Sequence, residues 1–160
     1  MTTTTDLMQL MAGPIEAVAG LDLTDAEAAG RELEARYPTD GEACRALRAA
    51  MMAAFEAGEI CDRGKGDVRF SRLSKPAPET KDLSVDFVWM TGPGINHRHP
   101  TGEVSLCFAT EGDPRFDGHP EGWVPYAPGS EHVPTVTDGR MLIVYFLPGG
   151  EVEWINEGKP

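Results

Sequence analysis

The chain has 160 residues, 41% of them apolar, and a net charge of −12. That length and apolar share fit one compact domain with a real core. The negative charge excludes nucleic acid as a partner, because phosphates are repelled and no basic cluster offsets the field.

The start, Met1-Thr2-Thr3-Thr4-Thr5-Asp6, lacks a basic leader region, so no secretory signal is expected. No apolar run approaches the roughly 18 residues that span a bilayer. Cys44, Cys61 and Cys107 are an odd set at unrelated spacings with no CxxC, which points to a reducing, cytoplasmic setting.

Residues 6 to 57 read as helical. Leu7, Met8, Leu10, Met11, Ile15 and Val18 recur at helical spacing, and Gly13-Pro14 predicts a break or a new first turn. Thr24-Asp25-Ala26-Glu27 fits a capping box opening a helix that runs to about Tyr37, where Pro38 stops it. Thr39-Asp40-Gly41-Glu42 repeats the device for a helix ending at Gly58. The methionines Met8, Met11, Met51 and Met52 suit core packing more than an adaptable binding face.

After Gly58 short β-rich runs replace alanine-rich helix. Glu59–Asp62 and Val68–Leu73 flank Arg63-Gly64-Lys65-Gly66-Asp67 as a hairpin. Ser84–Met90 is a strand, and Val104–Ala109 another. Residues 111–120 read as a loop, and Gly122–Tyr126 as a short strand. Val133–Val136 and Met141–Leu147 are strands joined by Thr137-Asp138-Gly139-Arg140 as a turn of the Asp-Gly type. The last strand is Glu151–Ile155. Closely spaced short strands argue a sandwich or barrel. The expected organisation is a helical segment at 1–58 followed by a β-barrel at 59–160, forming one unit.

Three of the four histidines fall into one constellation. His97 and His99 lie two apart, so on a strand both point to one face. Glu103 follows, and Pro128-Gly129-Ser130-Glu131-His132 supplies a third imidazole. Imidazoles with a carboxylate suit one divalent ion such as Fe, Mn, Zn or Ni, with a position left for water or substrate. Arg98, between the two histidines, should face outward. His119 reads as a loop histidine, and Cys107 as a buried, inert thiol.

These residues resemble the cupin superfamily. Its first motif corresponds to Gly92, His97, His99 and Glu103, and its second to Gly122, Pro128-Gly129 and His132. The glycine expected soon after the glutamate is displaced to Gly112, and the asparagine often found after the second-motif histidine is absent. The resemblance implies a double-stranded antiparallel jelly-roll barrel with the metal inside its mouth.

A narrower resemblance rests on His97-Arg98-His99-Pro100-Thr101-Gly102-Glu103, Arg115-Phe116-Asp117-Gly118, Gly122-Trp123-Val124 and Met141–Pro148. These segments look like the small bacterial 4-hydroxylaminobenzoate lyases of nitrobenzoate breakdown. That implies a metal-dependent carbon–nitrogen lyase releasing protocatechuate and ammonia, with His97, His99, Glu103 and His132 as ligands. Glu103 would also be a possible proton relay. The ligand set alone equally permits an Fe(II) dioxygenase acting on a small aromatic acid, or a non-catalytic metal- or ligand-binding cupin. A benzoate substrate needs a cation away from the metal, and Arg115 and Arg140 are the arginines expected to supply it. Trp89, Tyr126 and Tyr145 either line an aromatic pocket or fill the barrel. A homodimer or larger homo-oligomer is expected, to cover Met-rich helices and apolar barrel faces.

Overall fold

The computed structural model describes residues 4–155. Three helices lead: α1 (Thr4–Ala19), α2 (Ala26–Arg36) and α3 (Glu42–Glu56). Nine strands follow: β1 (Arg63–Lys65), β2 (Val68–Ser74), β3 (Leu83–Pro93), β4 (His97–His99), β5 (Glu103–Phe116), β6 (Gly122–Tyr126), β7 (Ser130–His132), β8 (Thr135–Pro148) and β9 (Glu153–Trp154). The strands form a six-stranded sheet in the order β1-β2-β3-β8-β5-β6 and a three-stranded sheet in the order β7-β4-β9. Every pairing is antiparallel, in keeping with the jelly-roll expectation.

The helices pack on one face of the large sheet. Leu7, Met11, Leu33, Leu47 and Met51 share a buried cluster with Phe87, Phe108, Leu142 and Phe146. Two of the four helical methionines, Met11 and Met51, are 0% exposed, so they serve the core. The opposite face of the sheet looks toward the small sheet, and the candidate site lies between them.

Several local expectations are corrected. Pro14 does not break α1, which runs through it. A proline removes one ladder hydrogen bond, and the burial of Leu7, Met11, Ile15 and Val18 along one side offsets that loss. Gly13 is there for proximity: a Cβ would lie 2.3 Å from the Tyr37 hydroxyl. The capping box at Thr24 does not form. Asp25 is the N-cap, accepting from the Ala28 amide, while the Thr24 hydroxyl donates to Asp22. Before α3 the N-cap is Gly41, with no side-chain cap, and Thr39 bonds back to Glu34 instead. The first hairpin is shifted along the chain: Arg63–Lys65 is strand, paired with Val68–Phe70, and the turn is Gly66-Asp67.

The largest correction concerns β5 and β8. Residues 111–116 continue the strand, and Asp138-Gly139 is not a hairpin turn but an irregularity inside one 14-residue strand. Asp138 and Gly139 do have positive φ, of 63° and 152°. The positive-φ chemistry of an Asp-Gly pair serves a β-bulge as readily as a turn.

Candidate metal and ligand site

The small sheet brings the histidines together. β4 pairs with β7 so that His97 lies opposite His132, and His99 opposite Ser130. Alternation turns His97 and His99 inward and Arg98 outward, where it pairs with Glu153 at 2.8 Å. Glu103 enters from the first position of β5.

The four side chains converge. Nε2 of His99 lies 3.3 Å from Glu103 Oε1, and Nε2 of His132 and of His97 each lie 3.9 Å from a Glu103 oxygen. One ligand atom from each residue falls within 4.8 Å of all the others. Ligands at about 2.1 Å from one ion sit up to about 4 Å apart, so a contraction of under about 1 Å would bring the cluster to the size a divalent metal needs.

Each imidazole is aimed by its other nitrogen. His97 Nδ1 donates to the Ile95 carbonyl at 2.9 Å, His99 Nδ1 meets Ser130 Oγ at 3.0 Å, and His132 Nδ1 donates to Asp117 Oδ2 at 2.6 Å. Donation from Nδ1 leaves an Nε2 lone pair facing the centre. Nε2 of His99 and of His132 are buried and have no hydrogen-bond partner among the described residues. Buried polar atoms are almost always satisfied. Two orphaned imidazole nitrogens facing one carboxylate therefore fit a cation that this group could hold. Burial pushes the His97 pKa down and favours the neutral, ligating form.

Asp117 is the site residue that sequence reasoning passed over. It accepts from His132, from the Tyr126 hydroxyl and from the Thr135 amide. Burial works against its charge, but these donors outweigh it and hold the carboxyl below its usual range. The signal lies in Arg115-Phe116-Asp117-Gly118, where the aspartate follows two residues after the arginine.

A cavity of about 360 Å³ opens beside the cluster, with His97 and Glu103 in its lining. Its walls are largely apolar, among them Val88, Met90, Phe116 and Ile143. Tyr145 lines it too. Tyr126 packs instead against the histidines, its ring 4.3 Å from His132 and 5.4 Å from His99. Burial, then Asp117, push its phenol far above the usual range.

The other expected contacts lie elsewhere. Trp89 is on the helix-facing side, 5.0 Å from Phe55 and flanked by the guanidinium groups of Arg69 and Arg140. The cause is parity: Asp86, Val88 and Met90 face the cavity, so Trp89 cannot. On β8 the cavity takes Ile143, Tyr145 and Leu147, so Arg140 points away. Arg115 bonds to Asp113 and the Pro114 carbonyl. Irregularities between Ala109 and Arg115 shift the parity of β5, turning Phe116 inward and Arg115 out. Among the described residues, the arginine lining the cavity is Arg72 on β2. His119 is exposed, and Cys107 is 0% exposed with burial raising its pKa well above the usual range, so it is an inert thiol.

No helix among the described residues is long and apolar enough to cross a membrane. Among solved structures the chain is similar to an RmlC-like cupin from Ralstonia eutropha, at 17% identity and a TM-score of 0.43, covering 60% of this chain and 64% of that one. It is also similar to the DMSP lyase DddQ from Ruegeria pomeroyi, at 18% identity and a TM-score of 0.42, covering 72% of this chain and 65% of that one. A protein named 4-hydroxylaminobenzoate lyase from Pseudomonas putida is 30% identical over 102 residues, 54% of this chain and 58% of the relative. One of the same name from Nocardioides sp. (strain LMS-CY) is 30% identical over 95 residues, 54% of this chain and 56% of the relative. The chain thus spans little more than half the length of these curated relatives. The pattern of the PnbB family, described as 4-hydroxylaminobenzoate lyase, matches residues 14–154. With that match running from α1 to β9, the chain belongs to the 4-hydroxylaminobenzoate lyase family.

Proposed function

We propose that the protein is a metal-dependent lyase that converts 4-hydroxylaminobenzoate, or a close aromatic hydroxylamine, to protocatechuate and ammonia. The observation that carries this reading is the pair of orphaned, buried Nε2 atoms of His99 and His132 facing Glu103 beside an apolar cavity. Family membership supplies the reaction class.

In this reading His97, His99, Glu103 and His132 hold one divalent ion. Such an ion would supply Lewis acidity, which this reaction needs because hydroxide is a poor leaving group. The overall change adds one water and releases ammonia, and it needs no external oxidant. The chain's own residues do the rest. Val88, Met90, Phe116 and Ile143 enclose the ring and keep bulk water from it. Glu103, whose carboxylate reaches all three imidazoles, is placed to pass a proton between water and the departing nitrogen. Asp117 keeps His132 turned toward the centre.

The test is anaerobic incubation of metal-loaded protein with 4-hydroxylaminobenzoate, followed by chromatography and ammonium assay. Equal amounts of protocatechuate and ammonium are expected. His99→Ala should lose both metal and turnover while circular dichroism stays native. Consumption only when oxygen is admitted would show a dioxygenase instead.

A further inference from the structure

The register of the large sheet sets four polar residues in one row. Arg72 on β2 lies opposite Asp86 on β3, Asp86 opposite Tyr145 on β8, and Tyr145 opposite Ser105 on β5. Directly opposed residues share a face, and all four line the cavity. Glu103 is two residues from Ser105 on the same face of β5. The row crosses a surface that is otherwise largely apolar.

Asp86 is 6% exposed, an unusual place for a carboxylate. It takes one edge of the Arg72 guanidinium, with Nε to Oδ1 at 2.8 Å and Nη2 to Oδ2 at 3.4 Å. A guanidinium has five N–H donors in a planar fork. Asp86 engages two of them, and among the described residues Nη1 has no partner. The free end, Nη1 with the second hydrogen of Nη2, belongs to a side chain that is 52% exposed and has the fork geometry that a second carboxylate can take. The Tyr145 hydroxyl also lacks a hydrogen-bond partner among the described residues.

Span completes the argument. Three strand spacings of about 4.8 Å separate the backbones of Arg72 and Ser105, about 14 Å in all. A benzene ring with para substituents reaches about 11–12 Å once a coordination bond of about 2 Å is added at one end and a charge-assisted hydrogen bond of about 2.8 Å at the other, which leaves a remainder that the long Arg72 side chain covers by leaning along the row. An ortho acid, with both groups on one side, does not.

We propose that Arg72, held in orientation by Asp86, binds the carboxylate of a para-substituted benzoate whose other substituent reaches the Glu103 and histidine cluster. The assignment rests on the lyase reading for the identity of that second substituent. Arg72 is a binding residue that selects both the acid and its para geometry.

The experiment compares two probes by calorimetry on metal-loaded protein: 4-aminobenzoate and its uncharged counterpart 4-aminobenzamide. In Arg72→Gln the benzoate should weaken about fivefold, the scale of a charged contact on a half-exposed side chain, while the amide changes less than about twofold. If Arg72→Gln fails to fold, Arg72→Lys keeps the ion pair to Asp86 but loses the fork. It should still weaken the benzoate more than the amide. Equal weakening of both probes, or no weakening of either, overturns the proposal. Binding is read without turnover, so the two ideas separate. Arg72-dependent benzoate binding in a protein inert toward 4-hydroxylaminobenzoate upholds this site and removes the reaction. Turnover with Arg72-independent binding does the reverse.

Discussion

A histidine becomes a ligand only when its ring is aimed, and His132 shows what aims it. Its Nδ1 is fixed by Asp117, which is itself anchored by the Tyr126 hydroxyl and the Thr135 amide. Carboxylate partners of this kind are worth about 10- to 100-fold in metal affinity. Asp117→Asn keeps an acceptor but loses the charge, so chelator competition should show affinity falling by about tenfold, with Asp117→Ala nearer 100-fold. Unchanged affinity in both would mean that the β4–β7 pairing alone orients His132. At this scale the histidine and glutamate cluster was legible and its supports were not. Period-two spacing announces His97 and His99 to any reader of the sequence. Asp117 answers to no spacing rule, because it reaches His132 through tertiary packing.

Among the elements, β5 and β8 decide which side chains see the cavity, and their irregularities were the least legible part of the chain. Gly112 opposes Gly139 in the ladder, and beyond that point the inward parity changes, so Phe116 lines the cavity and Arg115 does not. Plain alternation carried from Glu103 would have turned Arg115 inward. Arg72 was hidden for a related reason: its place on the row depends on the β2–β3 register, which is set by which strands meet across the sheet. The second and third helices were readable in extent, since Pro38 and Gly58 mark their ends, but α1 runs through the expected break at Pro14 and the caps were not readable, because several side chains compete for the same amides. The bulge itself can be tested. At Gly139 φ is 152° and a Cβ would sit 2.0 Å from the Glu111 carbonyl oxygen. Gly139→Ala should lower stability by about 2–3 kcal/mol in urea titration. Gly118→Ala is the control: φ is also positive, at 86°, but nothing lies within 4 Å, so strain alone remains and about 1 kcal/mol is expected. Equal losses would show that the close approach to Glu111 is not what makes Gly139 necessary.

For the whole molecule, charge and burial act together on any cation that this cluster could hold. A chain at −12 concentrates cations near its surface, and the site adds a carboxylate that is 4% exposed beside an imidazole that is 0% exposed. Packing Glu103 and three imidazoles together without a cation leaves buried polar atoms unsatisfied, a cost borne by the fold of the apo-protein. An ion that binds only the folded state stabilises it by about 2.7 kcal/mol at a concentration 100 times its Kd. For a chain of this length each kcal/mol moves the melting temperature by about 2–4 °C, so saturating metal should raise Tm by roughly 5–10 °C. His99→Ala should abolish that rise, and its metal-free Tm should match or exceed that of the metal-free parent, because a buried polar group with an unsatisfied nitrogen has been removed. High salt should reduce the affinity, since it screens the long-range attraction of the anionic surface. Differential scanning calorimetry with and without metal at two ionic strengths measures all three. An equal metal-induced rise in His99→Ala would place the ion elsewhere on the acidic surface and detach the metal from the cavity.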